Sequence, residues 1–394
     1  MSKILKFLFS RMAIIGLLIC LQLAILIFAI WKLTESFVYL YVLFSLISIF
    51  AVIYIVSTKD NPSYKLAWTI PVLLVPVFGG LFYLLFGLRK TTKKFRAKMI
   101  NIHNETAKLL TQDRDILNEI EKEDKGVANQ VKYLNKYAAS PIYKNTTTKY
   151  LSPGEDFFEK LKEELKKAKH YIFMEYFIIQ EGVMWDSILE ILEEKVKEGV
   201  DVRVIYDDVG CVMKLPYRYS DELKKYGIKC RGFNPFVPIF TNRLNNRDHR
   251  KITVIDGYVG FMGGINLADE YINAYEKYGH WKDAAILIKG DAVFNLTVMF
   301  LSMWDFINNT DDDYLNYKPE KYTNEKYIGR GYIQPFDDSP LVNEPIGETV
   351  YLNLINKAKN YIYINTPYLI IDNEMATSLK IAAKSGIDVR IVTP

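Results

Sequence analysis

His249, Lys251, Asp256, Gly263, Gly264 and Asn266 fall in one stretch with a fixed spacing: His-x-Lys, four residues, Asp, six residues, Gly-Gly-x-Asn. An imidazole that titrates near neutrality can attack phosphorus or carry a proton. An ammonium two residues on and an amide donor further along can hold phosphate oxygens, and paired glycines let backbone approach the same hollow. The apolar run Ile252, Val254 and Ile255 suits a buried strand. Side chains two apart on a strand point the same way, which brings His249 and Lys251 to one face. Tyr258 to Met262 reads as a second strand, so Asp256-Gly257 makes a hairpin turn. The candidate catalytic set is His249, Lys251 and Asp256, with Asp256 expected to hold geometry more than to touch substrate. Lys251, Asn266, Gly263 and Gly264 are the candidate phosphate-binding residues. Only four His occur in the chain, which leaves few chances to meet all these offsets by accident.

Other candidates carry less. Glu175 is a carboxylate in an otherwise apolar strand, placed either to orient an active-site group or to pair with a buried cation. Asp269 and Glu270 could orient His249 or could simply begin a surface helix. Asp207-Asp208 reads as strand-end or loop carboxylates, and His103 and His170 have no convergent partners in sequence. Cys20, Cys211 and Cys230 have no metal-ligand spacing, so neither a metal nor a disulfide framework is expected, which suits a reducing compartment. No cofactor is expected. A formal net charge of +4 is mild and does not point to nucleic acid.

The elements around the motif predict an α/β domain with a mixed, buried sheet between helix layers. Phe157, Phe158, Leu161 and Leu165 stripe a helix, Tyr171–Ile179 reads as a strand, Trp185–Val196 as a helix and Val202–Tyr206 as a strand. A repeat is visible as well. Ala168-Lys169-His170-Tyr171-Ile172 matches Ala358-Lys359-Asn360-Tyr361-Ile362, and the 199–205 segment matches 386–392, at offsets of 190 and 187 residues. The second copy begins near Gly347, and its own His-x-Lys would fall beyond Pro394, so the chain is expected to end inside that copy.

Three apolar runs, Met12–Ile30, Val38–Val56 and Leu66–Leu88, predict two to three membrane-spanning helices. Pro71, Pro76, Gly79 and Gly80 would kink the third. The basic stretch Arg89–Lys98 suggests a cytoplasmic flank, hence a multi-pass protein of the cell membrane with its catalytic part in the cytoplasm. The expected organisation is a membrane region over 1–100, an amphipathic helical linker over 101–150, a first catalytic repeat over 151–340 and an incomplete second repeat over 341–394. The number of crossings stays open.

The stretch His249-x-Lys251-x4-Asp256-x6-Gly263-Gly264-x-Asn266 resembles the signature of the phospholipase D superfamily. Its continuation Gly-Gly-Ile-Asn-Leu-Ala-Asp-Glu-Tyr (263–271) is similar to the first motif copy of bacterial cardiolipin synthases, and Asn61–Trp68 is similar to their N-terminal region. His280-Trp281-Lys282-Asp283 resembles a Trp-x-Asp stretch that precedes a strand in this family. Many superfamily members have Ser where Gly264 stands, so no hydroxyl contact to phosphate is expected there. The resemblance implies two motif copies sharing one site, where one His forms a phosphohistidine and the other protonates the leaving alkoxide. It implies phosphatidyl transfer between two phosphatidylglycerol molecules, with release of glycerol and without metal. The implied partners are phosphatidylglycerol and other anionic membrane lipids. With one motif present, the chain alone is expected to have little synthase activity, and His249 is nucleophile or general acid. Two alternatives stand: a phosphodiesterase whose site forms in a homodimer, and a non-catalytic membrane fragment that binds lipid.

Overall fold

The computed structural model describes residues 20, 23, 24, 27, 28, 37–58, 60–75, 78–87, 93–235, 246–277, 279–339 and 344–394. These fall into two compact units, one formed by the described residues before Lys93 and after Ile346, the other by the rest.

In the first unit, α1 (Phe37–Ser57) and α2 (Pro62–Leu74) are followed by a helical turn at Gly79–Phe82 and a π-helical turn at Tyr83–Gly87. Asn61 caps α2 by accepting the Ser63 N–H at 2.9 Å, and Pro62 takes a first-turn position where a missing N–H costs nothing. Ala51, Ile55, Val72 and Tyr83 bury one another, with Trp68 packed alongside.

The expected membrane-spanning helices need correction. Among the described residues no helix is long and apolar enough to cross a membrane. The third apolar run is cut into helical pieces of 13, 4 and 5 residues, with Pro71 inside the first and the break falling before Gly79. A hydrocarbon core needs roughly 20 in succession. In the second run α1 is a continuous helix of 21 residues, Phe37–Ser57. The first run, a few positions apart, and Arg89–Thr92 of the basic stretch lie outside the described residues. The multi-pass, membrane-embedded reading is not supported.

The second unit opens with three helices, α3 (Lys93–Leu109), α4 (Arg114–Glu123) and α5 (Lys125–Ala138). The carboxylates of Asp113 and Asp124 cap α4 and α5, each accepting two backbone N–H groups. Then come β1 (Thr146–Leu151), α6 (Gly154–Lys166), β2 (Tyr171–Tyr176), α7 (Val183–Lys197) and β3 (Asp201–Asp207). They are followed by α8 (Tyr219–Lys225), β4 (Lys229–Phe233), β5 (Lys251–Ile255), β6 (Val259–Gly263), β7 (Ala285–Gly290) and α9 (Val293–Asn308).

The seven strands form one mixed sheet in the order β1-β7-β6-β5-β2-β3-β4. β2 lies near its middle, parallel to β3 and antiparallel to β5, with Glu175 opposite Ile252. Every residue of β2 and β5 is buried, as a sheet covered on both faces requires. Ile172, Met174 and Tyr176 face a core that holds Leu161 of α6 and Trp185 of α7. Phe173, Ile252 and Val254 face the other core, where Phe173 stacks on Phe300 of α9 at 4.7 Å between ring centroids. The end of the stretch expected as a helical linker over 101–150 is instead a strand. Its β-branched Thr146–Thr148 suit an edge strand, and β1 pairs antiparallel with β7.

After Ile346 the chain forms α10 (Ile346–Lys357), β8 (Tyr361–Asn365), α11 (Asn373–Lys384) and β9 (Asp388–Val392). β8 and β9 pair in parallel with Tyr361 opposite Asp388, while β2 and β3 pair with Tyr171 opposite Asp201. The sequence match between 168–172 and 358–362 is therefore accompanied by the same strand pairing.

Candidate active site

The motif enters through the loop before β5, and Asp207 at the end of β3 fixes that loop. Asp207 is fully buried, and its Oδ1 accepts the N–H groups of Val209 and Gly210 at 2.9 and 3.0 Å. Its Oδ2 accepts the N–H of Asp248 at 3.0 Å, and Arg247 Nη1 lies 3.4 Å from Oδ1. Burial holds the Asp207 carboxyl above the usual range, opposed by these donors.

His249 and Lys251 meet at Phe177, just past the end of β2. The two rings lie 4.7 Å apart, and Lys251 Nζ stands 5.4 Å from the Phe177 centroid. Nζ donates to the His249 carbonyl at 2.6 Å. His249 is solvent-accessible as a residue, whereas Lys251 is 6% exposed. Burial lowers the Lys251 ammonium to about 8, against the opposing pull of Asp248, Asp283 and Asp207. His249 also titrates below its ordinary value. Partial cover by the surrounding protein contributes most, then the Lys251 charge, with Asp248 acting the other way. A neutral, reachable imidazole beside a half-desolvated ammonium is suited to attack on an anionic phosphodiester.

Arg250 points to the opposite side of the strand. Its Nη2 lies 2.5 Å from Glu175 Oε1, its Nε 3.2 Å from Asp248 Oδ1 and its Nη1 3.3 Å from Asp337 Oδ2. Glu175 therefore pairs with a buried cation, one of the two roles open to it. Burial raises its carboxyl well above the ordinary range, with Arg250 opposing and Asp248 and Asp337 reinforcing.

The remaining candidates lie elsewhere. Asp256 is at the far end of β5, at φ 49°, beside Gly257 at φ 72°. Its carboxylate accepts the N–H groups of Lys169, His170 and Tyr171 at 2.8, 2.8 and 2.9 Å, which ties the β5–β6 turn to the start of β2. A Cβ on Gly257 would collide with the Tyr171 hydroxyl and approach the Tyr317 carbonyl. Asn266 is buried, accepts the Ile178 N–H at 2.9 Å and donates to the Tyr271 hydroxyl at 2.8 Å. Gly263 presses on Ala284 and Ala285, and a Cβ on Gly264 would strike the Asp283 carboxylate. The glycine pair thus permits close packing against β7 and its approach.

Glu270 pairs with Lys214 at 3.0 Å and with Lys277 at 3.6 Å, away from His249. Asp269 accepts the Val183 and Met184 N–H groups and caps α7. Among the described residues no group of three or more His, Cys, Asp or Glu is arranged to hold a metal ion. A cavity of about 610 Å³ opens beside the motif, lined by Met99, His103, His249, Arg250, Val298 and Met299 among others. Sequence reasoning did not single out Phe177, Asp248, Arg250 or Asp337. Strand alternation carried a signal for Arg250, since a cation at the end of a dry strand needs a carboxylate on its own face, and Glu175 is one.

Residues 161–304 match the family described as "Cardiolipin synthase, PLD-like domain", and residues 46–87 match "Phospholipase D-nuclease N-terminal". The cardiolipin synthase of Alkalihalophilus pseudofirmus is 35% identical over 357 residues, spanning 90% of this chain and 70% of that protein. The chain belongs to the phospholipase D-like cardiolipin synthase family. An uncharacterized protein of Streptococcus mutans is 41% identical over 345 residues, spanning 87% of this chain and 74% of that protein. Among solved structures, the phosphatidylserine synthase of Haemophilus influenzae is similar over 67% of this chain and 66% of its own, at 15% identity and a TM-score of 0.47. Within the family's matched region lie β2, β5 and most of α9, the elements around His249, Lys251 and Arg250.

Proposed function

We propose that the protein is a cardiolipin synthase that works by phosphatidyl transfer, with His249 as nucleophile. The observation that carries the role of His249 is its placement: a solvent-accessible imidazole, held below its ordinary titration range, sharing the Phe177 ring with Lys251. An imidazole nitrogen attacks the phosphorus of phosphatidylglycerol, the bond to the headgroup glycerol breaks, and glycerol leaves with a proton. A hydroxyl of a second phosphatidylglycerol then attacks the phosphohistidine, the P–N bond breaks, and cardiolipin forms as the imidazole is restored. Dividing the displacement in two lowers each barrier, and Lys251 stabilises the charge that grows on the phosphoryl oxygens. Asp256 acts through the turn it ties down. Asn266 retains one amide proton beyond its bond to Tyr271, so it reaches phosphate only as a shared donor. The matching pairings of β2–β3 and β8–β9 support a second copy of the unit beginning near Gly347, and the family resemblance implies that the histidine of a second motif would protonate the leaving alkoxide.

The test uses vesicles of headgroup-labelled phosphatidylglycerol and follows glycerol release together with cardiolipin formation. Whatever transfer the wild-type protein supports, modest for a chain with one motif copy, is expected to yield the two in equal amounts, and His249→Asn or Lys251→Met to lower both toward background. Phosphatidic acid in place of cardiolipin would replace transfer by hydrolysis. Unchanged rates in the His249 variant would remove the nucleophile.

A further inference from the structure

Arg250 occupies the position between His249 and Lys251, with its side chain on the other face of the strand. Its three guanidinium nitrogens lie against three carboxylates from three separate segments: Nε and Nη1 donate to Asp248 in the motif loop and Asp337 after α9, while Nη2 makes a close charge contact without hydrogen-bond geometry to Glu175 near the end of β2. Glu175 is fully buried and Asp248 is 6% exposed, while the Arg250 and Asp337 side chains keep 21% and 36% exposure toward the cavity beside the motif, so the cluster is buried on its β2 side and open on the other. Asp248 is held twice, by Arg250 at its carboxylate and by Asp207 at its backbone N–H. The loop ahead of His249 is thus pinned to β2 and to β3 at once.

We propose that Arg250 is a positioning residue of this site: a three-carboxylate clamp with Glu175, Asp248 and Asp337 that sets the direction of the His249 and Lys251 side chains without touching substrate. The inference rests on the reading of His249 as nucleophile and names what aims it. A planar fork of donors can address three acceptors at once, which a lysine ammonium on a flexible stem does not reproduce. Displacement of a reacting group by about 1 Å costs on the order of 100-fold in rate, so a clamp one residue away from the nucleophile has leverage on turnover.

Three variants and two readouts test it. Arg250→Lys keeps the charge and loses the fork, Arg250→Met loses both, and Glu175→Gln removes one anchor. Headgroup transfer is expected to fall about 100-fold in kcat for both Arg250 variants and less for Glu175→Gln, with KM little changed. The second readout is the imidazole titration of His249, followed by nitrogen-15 NMR in the unreacted protein. His249 faces Lys251 and Asp248 on its own segment and the uncharged Phe177 ring from the end of β2. Removing the cation that neutralises Asp248 should raise the His249 pKa in Arg250→Met, because the freed Asp248 carboxylate favours the imidazolium. A merely structural role would lower the melting temperature and leave both kcat and the His249 titration in place, which would overturn the proposal. So would full activity in Arg250→Lys. If Arg250→Met does not fold, Arg250→Lys and Glu175→Gln carry the test. If the wild-type protein shows no transfer, the His249 titration still decides the clamp, and it is the functional reading that falls.

Discussion

Lys251 shows how a catalytic requirement opposes stability. Its ammonium is buried and titrates at about 8 instead of 10.5. Between those values the unfolded chain binds more protons than the native one, so stability rises with pH through that window and the penalty is fully present below it. Lys251→Met should therefore raise stability at pH 7, by at most about 3 kcal/mol, and the gain should fade as pH climbs from 8 to 10.5. Denaturant titrations of both proteins at several pH values measure this. A destabilised variant at pH 7 would mean that the charge is better compensated than the geometry implies. His249, held below its ordinary range, should be neutral at pH 7. The acid limb of the transfer rate should then have a midpoint below the free-histidine value of about 6.5, and a midpoint above it would favour the general-acid role. Both residues could be found from spacing alone, because strand periodicity brings positions 249 and 251 to one side. Asp337 could not. It lies 87 positions from Arg250, and nothing local in the sequence marks the pair.

The strands and helices of the catalytic unit followed from apolar periodicity, with β2, β3, β5, α6 and α7 close to where it places them. Two kinds of element escaped. β1 is an edge strand of Thr, Lys and Tyr with little apolar alternation, so its evidence is the partner strand β7 and not its own pattern. The third membrane run failed for a different reason: hydropathy reads total apolar content, while continuity of the helix decides whether a run can span, and this run is divided among helical pieces of 13, 4 and 5 residues. The turn that joins β5 to β6 offers a direct check. Asp256 holds three backbone N–H groups with one carboxylate, and charge-assisted bonds of this kind are worth about 1.5–3 kcal/mol each. Asp256→Ala should cost about 3 kcal/mol or more in stability, while Asp256→Asn keeps part of the network and tolerates the left-handed backbone. A near-neutral Asp256→Ala would return Asp256 to the list of residues with a chemical role.

The two strand pairs differ in what surrounds them. β2 is buried throughout in a seven-stranded sheet, while β8 and β9 form a two-stranded sheet with mostly exposed side chains. Isolated pairs of strands are marginal without a covering layer, and local opening follows the loss of buried contacts. Hydrogen exchange should therefore be far slower at Ile172–Met174 than at Ile362–Ile364, even though the two segments pair in the same manner. Equal protection would show that β8 and β9 acquire cover in solution.

The decisive measurement is to stop the reaction of labelled phosphatidylglycerol with base and map the phosphoryl adduct by mass spectrometry. The chemistry argued from the His249–Lys251–Phe177 arrangement predicts a base-stable, acid-labile phosphatidyl adduct on His249, absent from His249→Asn and weakened in Lys251→Met. An adduct on another residue, or cardiolipin formed by His249→Asn at the wild-type rate, would contradict it.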